Sequence, residues 1–196
     1  MSHYFTNDDS PMTTREINAT IFGIGHTFTT GSGVFSSSRL DLGTGVLLRT
    51  IDPPTTGHLL DLGCGFGPIA IGLAAGSPGV TVDAVDVNEK ALQLTRLNAE
   101  RAGVADRVRA LHPDQVADDV QYDEIWSNPP IRIGKPALHA LLLTWLPRLR
   151  PDGTAWLVVG KNLGADSLAA WLGDQGYFAE KVASAKGFRV LRVRHP

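Results

Sequence analysis

Two short segments of this sequence carry residue types that could bind a nucleotide and hold an amine. The first is Asp61-Leu62-Gly63-Cys64-Gly65-Phe66-Gly67-Pro68, and the second is Ser127-Asn128-Pro129-Pro130. Glycines permit positive φ and place no side chain between backbone and ligand, and proline suits the first turn of a following helix. The first segment is therefore predicted to be a strand-to-helix turn whose backbone N–H groups face a nucleotide.

The position of the third glycine distinguishes this turn from a dinucleotide-binding turn. A dinucleotide fingerprint would have a glycine at position 68, where this chain has Pro68. No catalytic acid pair stands out elsewhere in the sequence. A nicotinamide oxidoreductase is therefore the least favoured enzyme class.

Asp86 ends a mostly apolar run, about twenty residues after the glycine turn, where doubly wound folds carry an acidic group for ribose hydroxyls. The alternative is that Asp86 caps the helix predicted to start near Glu89, since acidic groups favour helix N-termini. Two motifs at this separation, each at a strand end, favour a shared ligand crevice.

The second segment offers hydrogen-bond acceptors in a stiff turn. Asn128 has a side-chain carbonyl oxygen, Pro129 has a main-chain carbonyl oxygen, and the prolines restrict the backbone. An amino group on a purine has its lone pair delocalised into the ring, so its N–H bonds must be directed at fixed acceptors. Because an amide is not basic near neutral pH, Asn128 is predicted to act by positioning and electrostatics. Without the glycine turn before it, an ordinary proline-rich turn would be favoured.

The elements around these motifs predict an α/β fold, a doubly wound three-layer sandwich. Helices are predicted at 40–51, 69–75, 89–102, 136–149 and 165–175, and strands at 58–60, 80–85, 108–111, 122–126, 154–159, 178–183 and 188–193. The connection between the last two strands is too short for a crossover helix, which predicts an antiparallel hairpin. Another hairpin, from 16–21 and 26–30, is predicted to roof the crevice. One domain is expected, with an N-terminal extension over 1–38 and a core over 39–196.

With these residues in view, the sequence resembles the class I methyltransferases of the RsmC-like group, which methylate guanine N2 in ribosomal RNA. The resemblance covers nearly the whole chain and is carried by Gly33-Val34-Phe35-Ser36, Leu40-Asp41 with Gly43, the Asp61 turn, Asp86, and Ser127-Asn128-Pro129-Pro130-Ile131-Arg132. It implies a Rossmann-like fold, S-adenosylmethionine as cofactor, and transfer of the sulfonium methyl group to an exocyclic nitrogen of RNA.

The resemblance also implies the roles of individual residues. Those expected to bind the cofactor are Phe35, Asp61, Gly63, Cys64, Gly65, Gly67, Asp86, Val87, Asp114 and Asn128. Asp114 is placed near the adenine amine, although Asp118 and Asp119 compete for that position. The catalytic turn comprises Asn128, Pro129, Pro130 and Ile131, and RNA is expected to contact Arg39, Arg132 and Lys135. A solvated pair of surface charges remains the alternative for Arg132 and Lys135.

Ile131 departs from related enzymes, in which an aromatic residue at this position stacks on a flipped base. Either Phe35 or Phe28 is expected to stack on the base in its place, or the substrate is expected to be held more weakly. A protein-glutamine methyltransferase would have tyrosine there, but adenine N6, a protein amide or a small molecule stay open as acceptors. So does a non-catalytic module that binds the cofactor and RNA.

Composition limits the remaining possibilities. The chain has 196 residues and a net charge of −2, so any RNA-binding surface must be a local cluster of basic residues. Arg189, Arg192 and Arg194 are not expected to form one basic stripe, because alternate residues of a strand point to opposite faces. Cys64 is the only cysteine and is expected to pack rather than react. The six histidines are scattered, and no metal site is predicted. Without a membrane-spanning run or signal peptide, a cytoplasmic monomer or homodimer is expected.

Overall fold

The computed structural model describes residues 11–130 and 133–196 and contains one large sheet flanked by helices. In chain order its elements are β1 (Thr14–Ile21), β2 (Ile24–Gly31), α1 (Leu42–Thr50), β3 (Thr56–Leu62), α2 (Pro68–Gly76), β4 (Gly79–Val85), α3 (Glu89–Arg101), β5 (Val108–Leu111), β6 (Tyr122–Ser127), α4 (Lys135–Trp145), β7 (Leu149–Gly160), α5 (Ala165–Asp174), β8 (Phe178–Ala185) and β9 (Phe188–Arg194). Short 3-10 turns at Pro113–Gln115, Leu146–Arg148 and Lys161–Leu163 follow β5, α4 and β7.

The main sheet has the strand order β5-β4-β3-β6-β7-β9-β8. The strands from β5 to β7 pair in parallel, whereas β9 pairs antiparallel with both β7 and β8. The chain builds outward from β3 in one direction and then returns to add β6 on its other side. This reversal is a topological switch point, where open α/β sheets form their ligand crevice. The predicted doubly wound fold and its C-terminal hairpin are confirmed.

The central strands of the sheet are buried on both faces and are accordingly nearly continuously apolar, whereas the edge strand β8 is mostly exposed. Neighbouring residues Leu59 and Leu60 on β3 belong to opposite apolar clusters. The first cluster includes side chains of α1, α2 and α3, and the second includes side chains of α4 and α5. These layers hold the carboxyl ends of the parallel strands along one edge.

The N-terminal hairpin of β1 and β2 is present, but it lies against α2 and α3. Buried Asn98 on α3 accepts a hydrogen bond from the Thr29 N–H at 2.7 Å and donates to the carbonyl oxygens of Thr29 and Phe66. Ile21 packs onto α2 at Gly72, where an added Cβ would lie 2.5 Å from Ile21 Cγ2. The prediction that the hairpin roofs the crevice is therefore wrong. The segment after it, beginning at Val34, lines the cavity instead.

Two helix ends differ from the sequence prediction for identifiable reasons. The first helix begins at Leu42 rather than Leu40, because Asp41 is its N-cap and accepts from the Thr44 N–H at 3.0 Å. The fourth helix ends at Trp145 rather than at 149, and a 3-10 turn containing Pro147 follows. Proline has no N–H to continue the helical pattern. In the two described ranges, no helix has the length and apolar character needed to cross a membrane.

Candidate active site

A cavity of about 570 Å³ opens along the carboxyl edge of the sheet. Residues at or just beyond the ends of β3, β4, β6 and β7 line it, together with the start of β9 and one side of α4. Its volume lies in the range of small-molecule and cofactor sites. Both sequence motifs meet in this cavity, since Gly63 and Gly65 lie on one wall and Asn128, Pro129 and Pro130 on another.

The glycine turn has the predicted left-handed backbone but uses its N–H groups differently. Gly63 and Gly65 have φ of 78° and 58°. The Gly63 and Cys64 N–H groups both donate to the Val85 carbonyl, at 2.8 and 3.0 Å, and the Gly65 N–H donates to Asp86 Oδ2 at 2.9 Å. The prediction that these groups face the ligand is therefore wrong, because they tie the turn to the end of β4.

The glycine turn instead provides room for close approach. A Cβ added at Gly65 would meet nothing within 4 Å, and one at Gly63 would meet only Pro130 Cδ, at 3.9 Å. The same spacing shows that the two motifs face each other across a narrow gap. The Gly63, Cys64 and Gly65 N–H groups are therefore not available to a pyrophosphate.

Asp86 lines the cavity and does not cap a helix. Asn88 is the N-cap of α3, with its side chain accepting from the Lys90 N–H at 3.0 Å. The two carboxylate oxygens of Asp86 accept from the N–H groups of Gly65 and Asn88, each at 2.9 Å. Each oxygen can accept a further hydrogen bond. Burial raises the pKa of Asp86, so a cationic or hydroxyl-bearing ligand beside it would be stabilising.

Asp61 lies behind the cavity wall rather than in it. Its side chain is fully buried, and Oδ2 accepts from the Ala70 N–H at 3.0 Å in the first turn of α2. Oδ1 has no partner among the described residues. Burial raises the pKa of Asp61 to about 7, with a smaller contribution from nearby Asp86 against the Ala70 hydrogen bond. Gly67, the left-handed residue that starts α2, also lies outside the lining.

Asn128 is held in one orientation by the start of α1. Its Nδ2 donates to Asp41 Oδ2 at 2.7 Å and to Thr44 Oγ1 at 3.1 Å. Its carbonyl oxygen accepts no hydrogen bond from the described residues and remains available as an acceptor. Ser127 ties the end of β6 to β3, because its buried hydroxyl donates to the Leu62 carbonyl at 2.7 Å.

Asp41 and Thr44 were not predicted as site residues. The sequence did contain one signal, since an aspartate immediately before a helix is a preferred N-cap. Their contact with Asn128 could not be foreseen, because it joins residues 87 and 84 positions apart.

The other predicted residues divide into those that reach the cavity and those that do not. Phe35, Cys64 and Val87 line it. Burial raises the pKa of the Cys64 thiol well above its usual value, which supports a packing role. The predicted residues outside the lining are Asp61, Gly67, Asp114, Arg39 and Lys135. Pro113, next to Asp114, does line the cavity, whereas Asp118 pairs with Arg148. Ile131 and Arg132 lie outside the described residues.

Phe28 and the three C-terminal arginines lie outside the cavity lining. Phe28 is only 1% exposed and packs against Phe66, so the prediction that it could stack on a base is wrong. The three C-terminal arginines are divided as predicted. Arg192 and Arg194 both contact Glu180, and Arg189 pairs with Asp166 on α5.

The cavity also includes a side that the sequence did not reveal. Gly160, Leu163 and Phe188 line it beyond Asn128. They are small or apolar residues after β7 and at the start of β9, and no local pattern distinguishes them from core residues.

Comparisons with known proteins agree with this arrangement. The methyltransferase small domain family matches residues 25–192. Protein YbxB of Bacillus subtilis is 35% identical over 172 residues, which cover 86% of this chain and 85% of that protein. The ribosomal RNA small subunit methyltransferase C of Citrobacter koseri is 40% identical over 173 residues, 85% of this chain and 49% of that enzyme.

A solved structure shares the fold. The T. thermophilus 16S rRNA N2 methyltransferase RsmC, in complex with AdoMet and guanosine, superposes with a TM-score of 0.78 at 24% identity and covers 95% of this chain. This chain spans about half the length of the ribosomal RNA methyltransferases it matches, 49% and 52% for these two. The resemblance inferred from the motifs is confirmed, and the chain belongs to the methyltransferase small domain family.

Proposed function

We propose that this chain is an S-adenosylmethionine-dependent N-methyltransferase that acts on guanine N2 in ribosomal RNA. The observation that carries the proposal is the orientation of Asn128. Its amide nitrogen is bound by Asp41 and Thr44, so its carbonyl oxygen is presented at the switch point of the sheet beside the glycine turn. The relatives named for methylation of ribosomal RNA support the choice of acceptor.

The cavity has the features that S-adenosylmethionine requires. This cofactor has a ribose, an adenine, a cationic sulfur and the amino and carboxylate groups of methionine but no phosphate, so it needs no cradle of N–H donors for a pyrophosphate. Gly63 and Gly65 leave open space beside the turn, and Asp86 offers carboxylate oxygens to ribose hydroxyls. The partly apolar wall that includes Val87, Pro113 and Leu141 fits the face of an adenine ring.

When bound, S-adenosylmethionine supplies a methyl group on a positively charged sulfur, and the electron pair of the S–C bond that breaks returns to sulfur. The protein's part is to orient the acceptor. The Asn128 carbonyl oxygen and the Pro129 main-chain carbonyl oxygen would accept hydrogen bonds from the exocyclic amine and so orient its lone pair for transfer. Both oxygens also stabilise the positive charge that develops on nitrogen. The amine proton leaves to water after transfer, because neither acceptor is a base.

The direct test is to incubate the protein, radiolabelled S-adenosylmethionine and ribosomal particles from a strain that lacks its gene, then identify any labelled nucleoside after digestion. Label in N2-methylguanosine is expected. Label in N6-methyladenosine would move the acceptor while keeping the mechanism. Label in protein or in a small molecule would refute the RNA acceptor. Cofactor binding without any transfer would favour a non-catalytic module.

The role of Asn128 is tested by Asn128→Ala. Loss of one preorganised polar group of this kind lowers kcat about 10²- to 10³-fold, while the dissociation constant for S-adenosylmethionine is expected to stay nearly unchanged. Asn18→Ala is the matched control, because Asn18 is exposed on β1 and its side chain accepts a hydrogen bond from Thr27 on the neighbouring strand, outside the cavity lining. Wild-type turnover in Asn128→Ala would refute the role.

The same proposal places the protein in the cytoplasm, where ribosomal particles assemble. Whether it acts as a monomer or a homodimer can be measured by light scattering of the active protein.

A further inference from the structure

The strand order arranges the cavity as a row of sites along the edge of the sheet. Pro113, Asp86 and Gly63 follow the adjacent strands β5, β4 and β3, and Asn128 follows the next strand, β6. If the cofactor occupies the part over β5, β4 and β3, the acceptor must lie beyond Asn128, over β7 and β9. The distance from β6 across β7 to β9 is two strand spacings, about 10 Å. This width is enough to accommodate a purine ring.

Phe188 is an aromatic side chain at the β7–β9 end of the cavity. It pairs with Gly160 where β7 ends, and both residues line the cavity with Leu163. Phe188 is half-buried, whereas Leu163 is 55% exposed. These two apolar side chains form part of the cavity wall on the β7–β9 side of Asn128.

The ring of Phe188 is braced against the helix that orients Asn128. A Cβ added at Gly43 would lie 2.8 Å from Phe188 Cε1 and 3.0 Å from Cδ1, so the ring is in direct contact with the first turn of α1. Gly43 stands between Asp41 and Thr44, the two residues that bind the Asn128 amide. The position of the ring is thus linked to the position of the acceptor oxygen through one rigid turn.

We propose that Phe188 is the aromatic surface on which the acceptor guanine stacks after it leaves the RNA helix, with Leu163 completing that wall. This inference rests on the proposed function. Phe35, predicted from the sequence to stack in place of Ile131, also lines the cavity, but the strand order places Phe188 on the acceptor side of Asn128. A flipped base is commonly held between aromatic or apolar side chains while its Watson–Crick edge is hydrogen-bonded.

The charges near this wall are consistent with RNA. Lys161 and Lys186 are both exposed, and they follow Gly160 and precede Gly187. The Lys161 N–H donates to the Gly187 carbonyl at 2.8 Å, which brings the end of β7 and the β8–β9 turn together. Positive side chains at this rim can neutralise phosphates flanking an extruded nucleotide, in a chain whose net charge is only −2.

The variants that test the inference are Phe188→Ala, Phe188→Leu and Phe188→Tyr, with Phe178→Ala as the control. Phe178 is a 60% exposed aromatic residue on the same hairpin, paired with Arg194 and outside the cavity lining. For each protein, kcat and KM for ribosomal RNA, the dissociation constant for S-adenosylmethionine and the thermal midpoint are measured. Equilibrium dialysis with labelled guanosine, in the presence of S-adenosylhomocysteine, reports base binding without turnover.

Loss of one base-stacking contact corresponds to about a 5- to 150-fold weaker interaction. Phe188→Ala and Phe188→Leu are expected to weaken guanosine binding and to lower kcat/KM for RNA within that range. Phe188→Tyr keeps an aromatic face and is expected to bind guanosine better than Phe188→Leu, whereas Phe178→Ala is expected to behave like the wild type. Cofactor affinity should stay the same in all four, and Phe188→Leu, which keeps most of the volume, guards against a folding defect.

Normal guanosine binding and normal kcat/KM in Phe188→Leu would overturn the stacking role. A parallel loss of cofactor affinity and thermal stability in Phe188→Leu would also overturn it, because the residue would then be structural. Failure of the proposed function is a separate outcome, since the wild-type protein itself would not methylate RNA.

Discussion

Substitution of Asp41 is predicted to affect thermal stability and catalysis through two different hydrogen bonds. Asp41 Oδ2 accepts two hydrogen bonds, from the Thr44 N–H that begins α1 and from Asn128 Nδ2. Asp41→Ala removes both. The capping bond is worth about 1 kcal/mol of stability, which corresponds to a fall of about 2–4 °C in the thermal midpoint for a chain of this size.

The catalytic effect follows from the second hydrogen bond. A hydrogen bond to a charged group contributes about 1.5–3 kcal/mol. If that energy serves to hold the Asn128 carbonyl in its productive orientation, kcat falls about 10- to 100-fold in Asp41→Ala. Transfer of the labelled methyl group to ribosomal RNA under saturating cofactor and RNA measures this directly, and the cofactor dissociation constant should not change.

Two further substitutions divide the roles of Asp41. Asp41→Ser retains a good N-cap, but its hydroxyl lies on a shorter side chain than the carboxylate, so the thermal midpoint should recover while kcat stays low. Asp41→Asn keeps an oxygen that can accept both bonds, and its kcat should stay within about fivefold of the wild type. The reasoning is refuted if Asp41→Ala and Asp41→Ser both turn over at the wild-type rate.

The remaining predictions concern buried carboxylates and pH. The pKa of Asp61 is raised to about 7, chiefly by burial, so the stability linked to its protonated form is present at low pH and is lost as pH rises through about 7. Asp61→Asn should therefore gain thermal stability relative to the wild type between pH 5 and 8, and a pH-independent difference would contradict this. Asp83 behaves oppositely: burial acts to raise its pKa, but hydrogen bonds from His58 and Arg109 outweigh burial and hold it below its usual value. Its contribution is present above the unfolded pKa of about 4 and is lost as pH falls through the lower folded value. Asp83→Asn should cost about 2–4 kcal/mol at pH 7, and urea titrations should show this difference shrinking in acid. An equal difference at pH 3 and pH 7 would show that the ionised form of Asp83 does not carry the contribution.

Sequence patterns predicted the features of this chain that depend on neighbouring residues. The alternation of apolar strands and helices, the left-handed glycines at 63 and 65, and the proximity of both motifs are all present in the structure. Contacts between distant residues could not be predicted. Asn98 joins the hairpin to α3 across 69 positions, and Asp41 binds Asn128 across 87. An asparagine or aspartate in either place is equally compatible with a solvent-exposed cap.

The hydrogen bonds between the glycine turn and the end of β4 explain how a motif similar to a dinucleotide-binding turn can bind a ligand that has no phosphate. In a dinucleotide site the turn's N–H groups remain free for the pyrophosphate. Here the Gly63, Cys64 and Gly65 N–H groups are bound to Val85 and Asp86. This pairing fixes the Asp86 carboxylate beside the turn and removes these three N–H donors from anion binding. We therefore expect selectivity for a cationic nucleoside over a dinucleotide to reside in these three backbone bonds as much as in the side chains that touch the ligand.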